Sequence, residues 1–233
     1  MGASSEIGRG LAVELALLGH ELVLWGRNVS ELAESARLVG ATGAGVTTAI
    51  VDVTDTAAVR RAVAELDPPL HVAVWTPGLF DRDRADRADP SVWQAVVEVN
   101  LTAPSVFTAM AAPLLVSSAP SCLVYLGSGA GHQAYSDNAA YVASKHGLTG
   151  LARAAFLDLR DLGVKVSLIA PGLVAAGSGL LSDAGQERPA DLLSVADVSA
   201  ALRFVVESSP SCCPTEIRLQ PLRSLEASLQ EPH

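Results

Sequence analysis

Gly2-Ala3-Ser4-Ser5-Glu6-Ile7-Gly8 is a turn of small residues that runs straight into a helix-period stretch, Ile7 to Leu18, stopped by Gly19. Behind it, Glu21–Trp25 reads as a strand. The same alternation continues with a helix at Val29–Leu38, a strand at Val46–Val51, a helix capped by Asp55 and running to Leu66, and a strand at Leu70–Trp75. A long helix over about Ser91–Val116 follows, then a strand at Ser121–Leu126 and a helix from near Asn138 to about Asp161. Lys165–Ala170 is a strand that stops at Pro171-Gly172, Asp197–Ser208 a helix, and Glu216–Gln220 a last short strand. Helices alternating with short β-branched runs predict an α/β fold with a mostly parallel sheet. Asp81–Pro90 carries four Asp and three Arg and reads as a solvated connection. Leu173–Pro189, rich in Gly, Ser and Ala without a period, reads as a loop or lid. No linker or repeat interrupts the pattern, so a single domain over residues 1–233 is expected.

Composition narrows the function classes. The 233 residues carry a formal charge of 16 − 25 = −9, and 49% apolar against 18% charged residues excludes disorder and collagen-like structure. An acidic balance with scattered arginines argues against a nucleic-acid surface, and no apolar run reaches the roughly 18 residues that span a bilayer. The N-terminus shows no basic region followed by an apolar stretch, so no signal peptide is visible. Three cysteines, with Cys212 and Cys213 adjacent, make neither a disulfide framework nor a metal-ligand spacing. A soluble, cytoplasmic protein without a metal is expected.

Three motifs could carry chemistry. The turn Gly2–Gly8 could bring bare N–H groups and the positive end of a helix to a phosphate, although an ordinary capped helix start looks much the same. Tyr141-Val142-Ala143-Ser144-Lys145 places a phenol and an ammonium four residues apart on one helical face. A nearby cation lowers a tyrosine pKa from its usual value of about 10, as a general acid/base near neutrality requires; a plain surface Tyr–Lys contact is the other reading. Leu126-Gly127-Ser128-Gly129-Ala130-Gly131 follows a strand, at the end of the sheet where open α/β folds bind ligands. Its hydroxyl could hold a substrate oxygen or belong to an unremarkable loop. His132 and His146 read as loop and helix-surface residues, and Cys212-Cys213 as packing for the turn into the last strand.

Together these residues resemble the short-chain dehydrogenase/reductase family, over essentially the whole length and in the right order. The family's Thr-Gly-x-x-x-Gly-x-Gly turn falls on Met1 to Gly8, its adenine-contacting Asp-Val pair on Asp52-Val53, and its Asn-Asn-Ala-Gly on Trp75-Thr76-Pro77-Gly78. The helix asparagine falls on Asn100, the active-site serine on Ser128, thirteen residues before Tyr141, the lysine on Lys145 and the Pro-Gly on Pro171-Gly172. The resemblance implies a single Rossmann-like, doubly wound parallel sheet flanked by helices. It implies catalytic roles for Ser128, Tyr141, Lys145 and Asn100. Tyr141 would give a proton to a carbonyl oxygen, Ser128 orient that oxygen, Lys145 tune the tyrosine and hold the nicotinamide ribose, and Asn100 position a relay water. Cofactor contacts would come from Gly2, Ser4, Ser5, Ile7, Gly8, Arg27, Asp52, Val53, Gly78, Tyr141, Lys145, Pro171, Gly172 and Val174.

The departures cluster in the cofactor half. Glu6 stands at the middle glycine and must point away from a pyrophosphate; Trp75, Thr76 and Pro77 alter the wall beside the adenosine; Ala176 replaces a threonine that contacts the nicotinamide amide. Met1 replaces the threonine with nothing before it, so the first strand of the fold is missing from this sequence. That strand is central in the order 3-2-1-4-5, and the natural chain is expected to start several residues upstream. Gly26-Arg27 stands where NAD-preferring relatives carry an Asp for the ribose diol; a guanidinium suits a 2′-phosphate, so NADP(H) is expected over NAD(H). The expectation is an NADPH-dependent carbonyl reductase, or secondary alcohol dehydrogenase in reverse, acting on a small molecule without nucleic-acid or membrane partners. The alternative is a non-redox protein of the same fold, a scaffold subunit or a cyclase/isomerase. Leu101, Phe107 and Met110 on one long helix and Leu148, Leu151, Ala155 and Phe156 on the other suggest a second buried side, hence a homodimer or homotetramer.

Overall fold

A computed structural model describes residues 1–67 and 69–223; the last ten positions of the expected domain lie outside the described residues. Several helices begin where a small polar side chain satisfies an open N–H. Ser5 caps α1 (Glu6–Leu17), Asn28 caps α2 (Val29–Gly40) and Asp55 caps α3 (Thr56–Ala64). Asp89, with proline at the first helical position, starts α4 (Pro90–Val97), and a Ser194–Asp197 capping box starts α8 (Val195–Glu207). Gly19, at φ +87°, turns the chain out of α1 into β1 (Leu22–Gly26); only a residue without Cβ adopts that conformation at little cost.

The remaining strands are β2 (Val46–Ile50), β3 (Val72–Trp75), β4 (Ser121–Leu126), β5 (Val164–Pro171) and β6 (Glu216–Leu219). All pair in parallel, β1 with β2 in one ladder and β3-β4-β5-β6 in the other. The central strands β4 and β5 read as apolar runs because helices cover both faces. On one face α3, α5 (Ala103–Ser117) and α6 (Ala139–Leu159) bury Val59, Phe107, Leu115, Leu148 and Ala152. On the other, α1 and α8 bury Leu11, Leu15, Val198, Leu202 and Val205 against Val124 and Ile169, and α2 adds Leu32 and Val39 beside β1. Cys213 packs its sulfur against β5, 3.5 Å from the Val166 carbonyl.

Between β1 and β3 there is no ladder. Met1 and Gly2 bridge the two strands at their C-terminal ends. The Met1 amine donates to Val74 O (2.8 Å) and its carbonyl accepts from Thr76 N (3.2 Å), while Gly2 N and Ala3 N donate to Trp25 O at 2.9 and 3.0 Å. The glycine turn is thereby placed at the carboxyl end of the sheet.

Several expectations need correction. Trp75 does not line a cofactor wall: it is fully buried and packs its ring on Phe107, with centroids 5.4 Å apart. Side chains alternate along a strand, so Trp75 faces the core under α5. Phe107, Leu148 and Ala155 are buried against the sheet and do not form a second apolar face. The long helix is continuous from Pro90 to Ser117 and apolar enough to pass for a membrane span by length and composition, yet Phe107, Ala111 and Leu115 lie in the core. Leu173–Pro189 is not featureless either, since it contains α7 (Asp183–Glu187), capped by Ser182.

Candidate active site

The site is assembled at the carboxyl ends of β3, β4 and β5. The long helix widens into a single π turn, Glu98–Thr102, between α4 and α5, a distortion that often marks functional positions. Its Asn100 is fully buried. The amide clamps the backbone of Leu79, donating to Leu79 O at 2.8 Å and accepting from Leu79 N at 2.7 Å, and donates to Ser144 Oγ at 3.0 Å. Both amide hydrogens are thus committed, leaving one carbonyl lone pair for a water.

Ser128 leaves β4 in extended conformation, and its hydroxyl accepts from Ala130 N at 3.2 Å as the chain makes a tight 3-10 turn over Gly129–Gly131. A Cβ on Gly131 would come within 2.6 Å of Thr149 Oγ1 and 2.9 Å of Lys145 O, so the absence of a side chain there lets this turn lie directly on α6. The Ser128 side chain draws the Tyr141 pKa down, but burial is the larger effect and holds it above the ordinary 10. The expected lowering of the tyrosine by its neighbouring lysine is therefore not the net result: desolvation wins. The Lys145 ammonium lies 5.6 Å from the Tyr141 ring centroid, is 4% exposed, and has its own pKa pushed down to about 8 by burial.

That ammonium donates to Leu126 O at 3.1 Å and makes no salt bridge among the described residues. A buried cation with one carbonyl partner has donors left for a ligand. The space beside it is kept open by Gly78, where a Cβ would sit 3.7 Å from Lys145 Nζ and 3.5 Å from Asn100 Oδ1. A ribose diol meets both requirements, so the residues fit the sugar of a dinucleotide.

The glycine turn fits its phosphates in part. Gly2 has φ +79°, and a Cβ on Gly8 would meet Gly2 O at 2.2 Å, so both glycines are required by the turn itself. Ser5 Oγ accepts from Gly8 N and donates to Gly2 O, leaving the first-turn N–H groups of Glu6 and Ile7 without acceptors inside the helix. The Glu6 side chain does turn aside, accepting from Gly177 N at 2.8 Å across the cleft. Ser4 packs under Gly26, and Arg27 is exposed, 3.7 Å from the Asp52 carboxylate. Thr54 hydrogen bonds, with Arg27 behind them, keep that carboxyl below its usual pKa. Val53 is half-buried against the core. Gly172 N donates to Leu219 O at 2.8 Å, fixing the Pro171-Gly172 turn. Val174 and Ala176 are buried, so only their backbones could reach a ligand. His132 turns away to Glu216, 3.3 Å distant, and His146 lies on the helix surface bonded to Val142 O.

The sequence reading missed Phe80, Asp81 and Arg82. Phe80 packs edge-on against the Tyr141 ring, with centroids 4.8 Å apart at 72°. Arg82 stacks over Phe80 and donates to Leu181 O at 3.0 Å. Asp81 is 3% exposed, in the stretch that reads as solvated. A charged run gives no sign that one of its members is buried; only the position three residues beyond Gly78 could have raised the question.

The short chain dehydrogenase family profile matches residues 1–186. The trans-4-hydroxycyclohexanecarboxylate dehydrogenase of Sinomonas cyclohexanicum is 32% identical over 183 residues, 74% of this chain and 70% of that protein. Among solved structures, a metagenomic short-chain oxidoreductase in complex with NADP superposes with a TM-score of 0.82 at 26% identity, covering 96% of this chain and 95% of that one. The carveol dehydrogenase of Mycobacterium avium in complex with NAD shares the fold, with a TM-score of 0.85 at 24% identity and coverage of 94% of each chain. With the family profile spanning most of its length and the site built at the ends of a parallel Rossmann-type sheet, the chain belongs to the short-chain dehydrogenases, oxidoreductases acting on alcohol and carbonyl groups.

Proposed function

We propose that the protein is an NADPH-dependent carbonyl reductase, running in reverse as a secondary alcohol dehydrogenase, on a small-molecule substrate in the cytoplasm. The observation that carries this reading is the buried Lys145 ammonium, unpaired with any carboxylate among the described residues and set 5.6 Å from the Tyr141 ring. A cation kept there at a desolvation cost is useful where negative charge develops. Tyr141 donates its proton to the carbonyl oxygen, Ser128 hydrogen-bonds and orients that oxygen, and Lys145 stabilises the phenolate left behind. Asn100 offers its free carbonyl lone pair to a relay water. The nicotinamide, when bound, supplies the hydride chemistry. Gly2, Ser4, Ser5, Ile7, Gly8, Arg27, Asp52, Val53, Gly78, Lys145, Pro171, Gly172 and Val174 would hold the dinucleotide, and residues 173–190 would form the substrate loop of a single domain. Absorbance assays of NADPH with a panel of ketones and β-keto esters test the reading; absence of NADPH consumption across the panel favours the non-redox alternative.

NADP preference rests on Arg27, exposed at the end of β1 with no acid at Gly26. Arg27→Asp is expected to weaken NADPH and help NADH, shifting the ratio of dissociation constants by roughly ten- to a hundredfold, the worth of one charge-assisted bond. Fluorescence titration with both cofactors measures it, and an unchanged ratio means that Arg27 does not touch the cofactor.

Assembly as a homodimer or homotetramer is supported by apolar side chains left on the helix surfaces, Val92 and Val97 on α4 and Leu157, 61% exposed, on α6. Light scattering at micromolar concentration is expected to give a multiple of 24.0 kDa; a monomer mass contradicts it.

A further inference from the structure

Tyr141 is the third residue of α6, and its N–H is one that a helix cannot satisfy internally. An N-cap side chain usually accepts from that position. Asn138 occupies the N-cap but makes no such bond, and its side-chain oxygen is buried without a partner among the described residues. The acceptor comes instead from 60 residues away: Asp81 Oδ1 takes the Tyr141 N–H at 3.1 Å. Asp81 is 3% exposed, and its second oxygen is buried with no hydrogen-bond partner among the described residues. Burying a carboxylate for one bond is costly, and Asn138 stands ready to cap more cheaply. Mere helix stability does not explain the arrangement.

The neighbours of Asp81 converge on the same place. Asn100 clamps Leu79 at both its N–H and C=O, Phe80 packs on the Tyr141 ring, and Arg82 reaches Leu181 O. Residues 78–82 therefore form a strap from the lysine side of the site, across the tyrosine, to the segment beyond β5. We propose that Asp81 is the positioning residue for Tyr141. By capping α6 at the tyrosine's own peptide, it sets the height and rotation of the phenol relative to Ser128, while Phe80 fixes the ring from the side. This rests on the reading of Tyr141 as proton donor.

The test compares Asp81→Ala with Asp81→Asn, which keeps an acceptor of the same shape. Misplacement of a reacting group by about 1 Å costs up to a hundredfold. Asp81→Ala is thus expected to lower kcat by about ten- to a hundredfold with the NADPH dissociation constant unchanged, while Asp81→Asn stays within about threefold of the parent. Amide hydrogen exchange at Tyr141 should quicken in Asp81→Ala and be restored in Asp81→Asn. Loss of kcat and NADPH affinity together, or an unchanged kcat in Asp81→Ala, overturns the proposal. If the parent protein consumes no NADPH with any carbonyl, the reductase reading fails separately. Exchange at Tyr141 then decides the strap alone, and an unaltered rate in Asp81→Ala overturns it.

Discussion

Tyr141→Phe lowers turnover of a carbonyl substrate by at least the roughly 10²–10⁴-fold that a positioned general acid supplies. The change removes one hydroxyl and keeps the ring, so the edge-on contact with Phe80, at 4.8 Å between centroids, survives. NADPH affinity should survive as well, because the donors left for the ribose belong to Lys145. Steady-state kinetics beside a fluorescence titration separates the two quantities. NADPH oxidation at the parent rate by folded Tyr141→Phe would falsify the assignment of the proton donor.

Lys145→Met is expected to damage both quantities while making the cofactor-free protein more stable. In the folded chain the ammonium pKa is pushed down from 10.5 to about 8, with burial as the cause. Below pH 8 the group is charged in both folded and unfolded states, and the folded state bears the desolvation cost. Between about 8 and 10.5 the unfolded chain binds more protons than the folded one, so parent stability rises with pH across that window. The methionine variant has no such slope. Its advantage should be on the order of 3 kcal/mol below pH 8 and vanish above 10.5. Denaturant titrations at pH 7 and 10.5 measure it, and equal stability of the two proteins at pH 7 would show that the lysine is not held under strain. Loss of function with gain of stability is the signature of a residue kept for chemistry.

The parts of this site that were legible from sequence are those written in local pattern. Ser128 follows a strand, Tyr141 and Lys145 share a helical face, and Pro171-Gly172 ends a strand; each is visible as a motif, and the structure brings Ser128, Tyr141, Lys145 and Asn100 close together. Helix starts were legible for the same reason, since Asp55 announces its cap by residue type. What stayed hidden depends on distant packing. Asp81 looks like its solvated neighbours until α6 closes over it, and Trp75 could face cofactor or core until the strand's register is known. The π turn at Asn100 shifts the helical phase midway, so no period counted from either end of that helix predicts where the asparagine points. The sign of the Tyr141 shift is hidden as well, because spacing shows the cation but not the depth of burial.

The contact between Glu6 and Gly177 joins positions 171 residues apart, one at the start of α1 and one beyond β5. It ties the turn that would receive phosphates to the stretch that would cover the substrate. A solvent-facing bond of this kind biases an equilibrium by only a factor of a few, so as a latch it would be a weak one. Two ligands on opposite sides of such a contact influence one another only where each binds the fastened and open arrangements with different affinity. A molecule that favours the fastened arrangement raises the affinity of any other that needs it, by the same factor in both directions. Order of binding in this enzyme is then a matter of kinetics, since the thermodynamic cycle closes whichever partner arrives first.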